Sequence, residues 1–157
     1  MTFGLHVIGR SREKWLQEAE AEYRTRLSAW AKVDLVVHKA ENLDGGLPLA
    51  EIRRLEGERL LSSLEPREEL VALDEKGRGL SSPELAAWLE GRLGAGASRF
   101  RFVIGGAEGL DEAVRRRAGL VLSLSPMTFT HQMARLVLLE QLYRALMIRD
   151  GRPYHRA

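Results

Sequence analysis

Short apolar runs alternate along this chain with longer stretches in which apolar residues recur at helical spacing. Residues 3–8, 33–37, 70–73, 100–104 and 120–124 are apolar runs with β-branched members, and they predict five strands. Between the first two, Trp15, Ala19, Tyr23, Leu27 and Trp30 recur at helical spacing and predict a buried stripe. Glu20 with Arg24 and Glu22 with Arg26 are i,i+4 pairs expected on the other side of that helix. Leu49, Ile52, Leu55, Leu60 and Leu64 mark a looser helix, weakened at Gly57. Ser81, Ser82, Pro83 and Glu84 form a helix start, with a hydroxyl cap, an early proline and a glutamate three residues after the cap. Leu85, Trp88, Leu89 and Leu93 are its apolar stripe. The alternation predicts an α/β layer structure, a mostly parallel sheet of five or six strands flanked by helices, in one domain over 1–157. Strand order is not written in this pattern.

The pattern changes over 133–148. Met133, Ala134, Leu136, Val137, Leu138, Leu139, Leu142, Ala145, Leu146 and Met147 cover almost the whole circumference of a helix. A helix apolar on nearly all sides must be buried on nearly all sides. In a small domain this favours a homodimer, whose second subunit covers what the core cannot, over a central helix in a monomer. Residues 152–157 then form a basic tail carrying Tyr154 and His155.

Composition narrows the class. A chain of 157 residues, 45% hydrophobic and 29% charged, has the make-up of a soluble globular domain with a sizeable core. No stretch approaches the roughly 20 apolar residues that span a bilayer. The apolar run at the N-terminus is too short for a signal peptide, so a cytoplasmic location and no membrane partner are expected. Without cysteine there is neither a disulfide framework nor a thiolate nucleophile. Charge is distributed unevenly: residues 1–112 hold 16 Lys and Arg against 20 Asp and Glu, whereas 113–157 hold 8 against 2. A basic C-terminal part on an acidic body is a footprint for phosphates, or else a solvated basic face.

Chemistry is expected beyond the C-terminal ends of the strands, where parallel sheets bind ligands. Three loops qualify: Asp74, Glu75, Lys76, Gly77; the turn GGAEG at 105–109; and Leu124 to Phe129. Much is missing. There is no G-x-x-x-x-G-K-[ST] phosphate loop, no G-x-G-x-x-G after the first strand and no G-x-S-x-G nucleophile elbow. His6, His38, His131 and His155 lack metal-ligand spacing, and no metal is expected. What survives is chemistry that needs only positioning, transfer of a group from a bound and already activated donor.

Five segments, taken together, resemble a known family. FVIGGAEGL at 102–110, LSLSPMTF at 122–129, His131-x-x-x-Arg135, EQLYRA at 140–145 and PYHR at 153–156 occur in the family's order and spacing. Over its whole length the chain resembles the bacterial large-subunit rRNA pseudouridine N3-methyltransferases, a minimal branch of the SPOUT class. The resemblance implies a C-terminal trefoil knot, a homodimer and S-adenosylmethionine as methyl donor. Periodicity does not show the knot, which general rules of chain connectivity disfavour. Carried over residue by residue, the donor lies among Leu73, Gly105, Gly106 and the loop Leu124, Ser125, Pro126, Met127, Thr128 and Phe129. Ala107 stands where the family commonly has proline. The implied substrate is a pseudouridine of 23S rRNA, presented by the 50S subunit or the 70S ribosome.

The acceptor is then an imide nitrogen that must shed its proton, so a positioned base or a cation favouring the anion is expected. Glu108 is the candidate base; alternatively it is a carboxylate at the start of a helix over 110–117. His155 titrates near neutrality and either assists proton removal or contacts RNA. Tyr154 stacks on a base or packs on the neighbouring subunit. Arg152 and Arg156 hold phosphates or keep the surface soluble. Arg135, a lone charge in an apolar helix, is expected at the substrate or an interface. Glu140 and Arg144, at i,i+4, read as structural. A tRNA methyltransferase of the same class, a non-enzymatic ribosome-binding factor and an α/β nucleotide-binding regulator remain as alternatives.

Overall fold

The computed structural model describes residues 1–154. Its elements follow the order β1 (Thr2–Ile8), α1 (Lys14–Leu27), β2 (Lys32–His38), α2 (Leu49–Leu61), β3 (Glu69–Gly79), α3 (Ser82–Gly94), β4 (Arg99–Ile104), α4 (Glu112–Arg117), β5 (Leu120–Ser123) and α5 (His131–Arg149). The strands form one five-stranded sheet, ordered β2-β1-β4-β3-β5, in which every neighbouring pair is parallel. This is the expected α/β architecture, with five strands among the described residues.

Alternation within the strands sends side chains to two helical layers. Phe3, Leu5, Val7, Phe100 and Phe102 enter the larger core, where Leu138, Leu142 and Leu146 of α5 meet them. Phe3 packs edge-on against Phe100 and Phe102 at 5.8 and 5.7 Å. Each such buried side chain contributes about 1.5–3 kcal/mol. Helix α5 lies against both α1 and α3. On the other face Ile8, Leu70, Ala72 and Val103 pack with Leu60 and Val114 of α2 and α4. Gly57 is a packing residue there, not a weak point, because a Cβ would sit 3.0 Å from Asp111 Cβ and Val114 Cγ2.

Several elements differ from expectation. The buried residues of α1 are Leu16, Glu20 and Leu27, while Trp15 is 55% exposed. Glu22 and Arg26 do pair, at 2.8 Å, but Glu20 turns inward and accepts a hydrogen bond from Ser11 Oγ at 2.6 Å. Strand β3 runs through the expected loop at 74–77, with a register shift between Leu73 and Arg78 that leaves both paired with Leu122. Gly77 permits this: a Cβ there would lie 2.7 Å from the Val121 carbonyl. Helix α4 begins later than expected, at Glu112, with the Asp111 carboxylate accepting from the Ala113 amide at 2.8 Å. The helix start at Ser81 forms a reciprocal capping box with Glu84. Among the described residues no helix is long and apolar enough to cross a membrane.

Candidate active site

Register across the sheet builds the floor of a cleft. Leu73 pairs with Ile104 on one side and with Leu122 on the other, so β4 and β5 end level with the point where β3 bulges. All three side chains line a cleft of about 1270 Å³. Its walls come from the turn after β4, the loop after β5, the first turn of α5, and the N-terminal parts of α1 and α2.

The turn after β4 is folded on itself. Gly106 and Gly109 form a β-bridge, and a Cβ on Gly105 would lie 2.6 Å from the Gly109 carbonyl. Gly109 adopts φ of 81°, in the left-handed region that glycine tolerates. Beneath the turn lies Glu56, 4% exposed, which accepts from the Glu41 amide at 2.9 Å. Burial raises the pKa of its carboxyl, and the Glu41 amide opposes that rise. A side chain at Gly106 would meet Glu56 Oε2 at 2.8 Å and Ile8 Cγ2 at 3.2 Å.

The loop after β5 is tied at both ends. Ser123 Oγ donates to the Ser125 carbonyl at 3.0 Å, and Ser125 Oγ accepts from the Met127 amide at 2.9 Å. Thr128 Oγ1 donates to Glu75 on the β3 bulge at 2.7 Å. Thr130 then caps α5, accepting from the Met133 amide at 3.2 Å. Arg115 braces the rim by bonding Asp74 at 3.0 Å, Glu112 at 2.8 Å and the Leu110 carbonyl at 3.1 Å.

Of the expected donor-binding residues, Leu73, Gly105, Gly106, Leu124, Ser125, Met127, Thr128 and Phe129 line this cleft. Pro126 is an exposed loop residue outside the lining. Glu108 also lines it, half-buried, with no hydrogen bond or ion pair among the described residues. Sequence reasoning missed Trp15, Arg53 and His131, which line the cleft from α1, α2 and α5. Burial, then the charges of Arg135 and Arg12, lower the pKa of His131.

Arg135 is 1% exposed, and its guanidinium is bonded within the protein. It donates to the carbonyls of Ile8 and Gly9 at 2.8 Å each and to Ser11 Oγ at 3.2 Å. Ser11 in turn donates to the buried carboxylate of Glu20. The chain thereby ties the end of β1 to α1 and to the first turn of α5, beside the cleft.

Residues 152–154, the described part of the tail, lie elsewhere on the same chain. Tyr154 Oη donates to Glu140 Oε1 at 3.2 Å, and its ring packs against Tyr143 at 4.8 Å with the Arg144 guanidinium 4.8 Å from its centre. Burial raises the pKa of its hydroxyl. Glu140 pairs with Arg144 at 2.6 Å, as the i,i+4 spacing predicts. Arg152 lies over the Trp30 ring, 5.2 Å from its centre. From His131 at the cleft to Glu140 is nine residues, about 14 Å along the helix axis. His155 and Arg156 lie outside the described residues.

Residues 1–155 match the family model described as predicted SPOUT methyltransferase. The chain belongs to the SPOUT methyltransferase family. It is 47% identical to a Pelobacter propionicus protein over 94% of this chain and 95% of the relative. It is 46% identical to one from Symbiobacterium thermophilum over 99% of this chain and all of the relative. Both relatives are named ribosomal RNA large subunit methyltransferase H. A structure described as a probable methylase family protein from Haemophilus influenzae covers 99% of this chain and 70% of its own, at a TM-score of 0.55 and 12% identity. That last likeness speaks for the fold alone. The SPOUT enzyme therefore carries at its strand ends a cleft with an apolar floor, main-chain turns and one unpaired half-buried carboxylate, Glu108. Among the described residues no group of three or more His, Cys, Asp or Glu is placed to hold a metal ion.

Proposed function

We propose that this chain transfers a methyl group from S-adenosylmethionine to N3 of a pseudouridine in 23S rRNA. In this reading it acts as a cytoplasmic homodimer on the 50S subunit or the 70S ribosome, and its C-terminal part carries the class's trefoil knot. The observation that supports it most is the level floor of Leu73, Ile104 and Leu122 beneath two turns whose main chain is held in place. Names carried by relatives at 46–47% identity support the choice of RNA.

The cleft fits the donor. A sulfonium and an ammonium call for carboxylates, and Glu13, Glu75 and Glu108 line the walls. A flat purine calls for apolar faces, which Leu124, Met127 and Phe129 supply. Bound S-adenosylmethionine supplies an activated methyl group, so no nucleophile on the protein is needed. The chain's part is to orient the two substrates, exclude water, and take the N3 proton. Glu108, which lines the cleft, is the first candidate base for the last task, and His155 of the tail is the second. Because Arg152 and Tyr154 pack away from the cleft, a dimer that brings one copy's tail to the other's cleft satisfies both roles. Met133, Ala134, Leu136 and Val137, half-buried in a single chain, give that second copy an apolar face to cover.

Calorimetric titration with S-adenosylmethionine tests the donor site. Gly106→Leu places a side chain against Glu56 and Ile8, and is expected to weaken donor affinity at least tenfold while circular dichroism still reports a folded protein. Wild-type affinity in that folded variant would remove the cleft as the donor site.

A further inference from the structure

We propose that the outer half of the cleft, built by Trp15 of α1 and Arg53 of α2, binds a nucleotide of the RNA substrate, its base on the indole and its phosphate on the guanidinium. The proposal rests on the RNA-methyltransferase reading and adds a contact that lies neither in the donor loops nor in the tail.

Volume is the first argument. The cleft measures about 1270 Å³, more than the roughly 300–1,000 Å³ that suffices for one drug-sized ligand. The bulged part of β3 and the loops after β4 and β5 line the cleft, and so do Trp15 and Leu16 of α1 and Ala50 and Arg53 of α2. There is room for a second molecule beside the donor, on the helical side.

The second argument is that these two side chains are unengaged where their counterparts are not. Trp30 donates its indole N–H to Asp150 at 2.6 Å, and Trp88 packs edge-on against Phe100 at 5.9 Å. Trp15 has no hydrogen bond and no ring contact among the described residues, and is the most exposed tryptophan. A helix that buries Leu16 and leaves the neighbouring indole in water gains nothing for the core from a tryptophan there. In α2, Arg54 bonds Glu51 and Glu58, and Arg59 bonds Glu41. Arg53 has no acid within ion-pair distance among the described residues. Its position in the cleft wall, three residues from Ala50, sets it on the helix face turned to the same space.

Chemistry then selects the ligand. An exposed indole stacks on any base, and a free guanidinium forks onto a phosphate. Of the acids that line the cleft, Asp74 and Glu112 are held by Arg115, and Arg53 pairs with none of them among the described residues. RNA carries both features, a base and a phosphate, and its target base must enter this same cleft to meet the donor.

The test uses the full chain at saturating donor, with 50S subunits, 70S ribosomes and tRNA as acceptors. Trp15→Ala is expected to raise KM for the accepted RNA roughly tenfold with kcat within about twofold, and Trp15→Phe to restore most of the loss. Arg53→Ala is expected to raise KM too, and to reduce the slope of log affinity against log salt by about 0.7, the mark of one lost phosphate contact on an unpaired strand. Donor affinity by calorimetry and mass by sedimentation are expected to stay at wild-type values in both variants. An unchanged KM in Trp15→Ala overturns the proposal. A lower mass overturns it in favour of a subunit contact, and a weakened donor affinity in favour of the donor site. If the wild-type chain methylates no RNA, the function reading has failed. Filter binding of ribosomal particles without donor then judges the subsite alone, and equal retention of wild type and Trp15→Ala ends it.

Discussion

Among the described residues two arginines are buried, Arg101 and Arg135, and they do different things. Arg101, on β4 far from the cleft, donates to the carbonyls of Ser62 and Ser63 at 2.8 and 3.0 Å and pairs with Glu68 at 2.9 Å. Its backbone partners come from one short segment, the end of α2, where Ser63 takes a positive φ of 58°. Arg135 gathers carbonyls from the end of β1 and reaches its carboxylate, Glu20, only through Ser11. The first ends a helix and neutralises its charge on the spot. The second joins segments more than a hundred residues apart in sequence and sits under the wall of the cleft. Both lower the pKa of nearby histidines, Arg101 that of His6 and His38, Arg135 that of His131, in each case after burial as the larger cause. A buried arginine is thus a local staple where its acid is in contact, and a site-building brace where it is not.

Substitution separates the two. Arg101→Met is expected to cost the most stability, about 3–5 kcal/mol by denaturant unfolding, because Glu68 is left buried without its partner. Donor affinity of the folded protein should not change. Arg135→Met is expected to cost less, about 1–3 kcal/mol, and to weaken donor affinity several-fold, since the first turn of α5 lines the cleft. If Arg101→Met weakened donor binding and Arg135→Met spared it, the division of labour would be reversed. Ser11→Ala, which leaves Glu20 unbonded, should lose about 1 kcal/mol and reproduce part of the Arg135→Met effect on the donor.

A separate effect is in pH. His6, hydrogen-bonded to His38 at 3.0 Å, has its pKa lowered from 6.5 to about 4 by burial, then by the charges of Arg101 and His38. Between those values the unfolded chain binds a proton that the folded chain refuses. Stability should therefore fall as pH drops from about 6.5 to about 4 and level off below. His6→Gln should flatten that part of a melting-temperature profile. An equally steep profile in the variant would assign the slope to other groups.

The sheet and most helices were legible because parallel strands buried on both faces read as apolar runs. The cap at Ser81 was legible because a capping box is wholly local. Trp15 was misplaced because one residue is 100° of helix: a stripe read through Trp15 and Ala19 runs beside the true one through Leu16 and Glu20, and a buried glutamate hides it. The continuation of β3 was hidden because it depends on Gly77 meeting Val121 of another strand. The two loops after β4 and β5 could be named as site from their place at strand ends. The helical wall of the cleft could not, since it depends on strand order. Arg135 looked like a ligand contact because a lone charge in an apolar helix announces a partner without saying that the partner is backbone.

In the proposed reaction large-subunit RNA receives a methyl group from a donor held on the Leu73, Ile104 and Leu122 floor. The most direct test is incubation of the purified chain with labelled S-adenosylmethionine and, in parallel, 50S subunits, 70S ribosomes and tRNA, followed by mass spectrometry of the labelled RNA. The account predicts one new methyl on N3 of a pseudouridine in 23S rRNA; label in tRNA alone, or in no RNA at all, would contradict it.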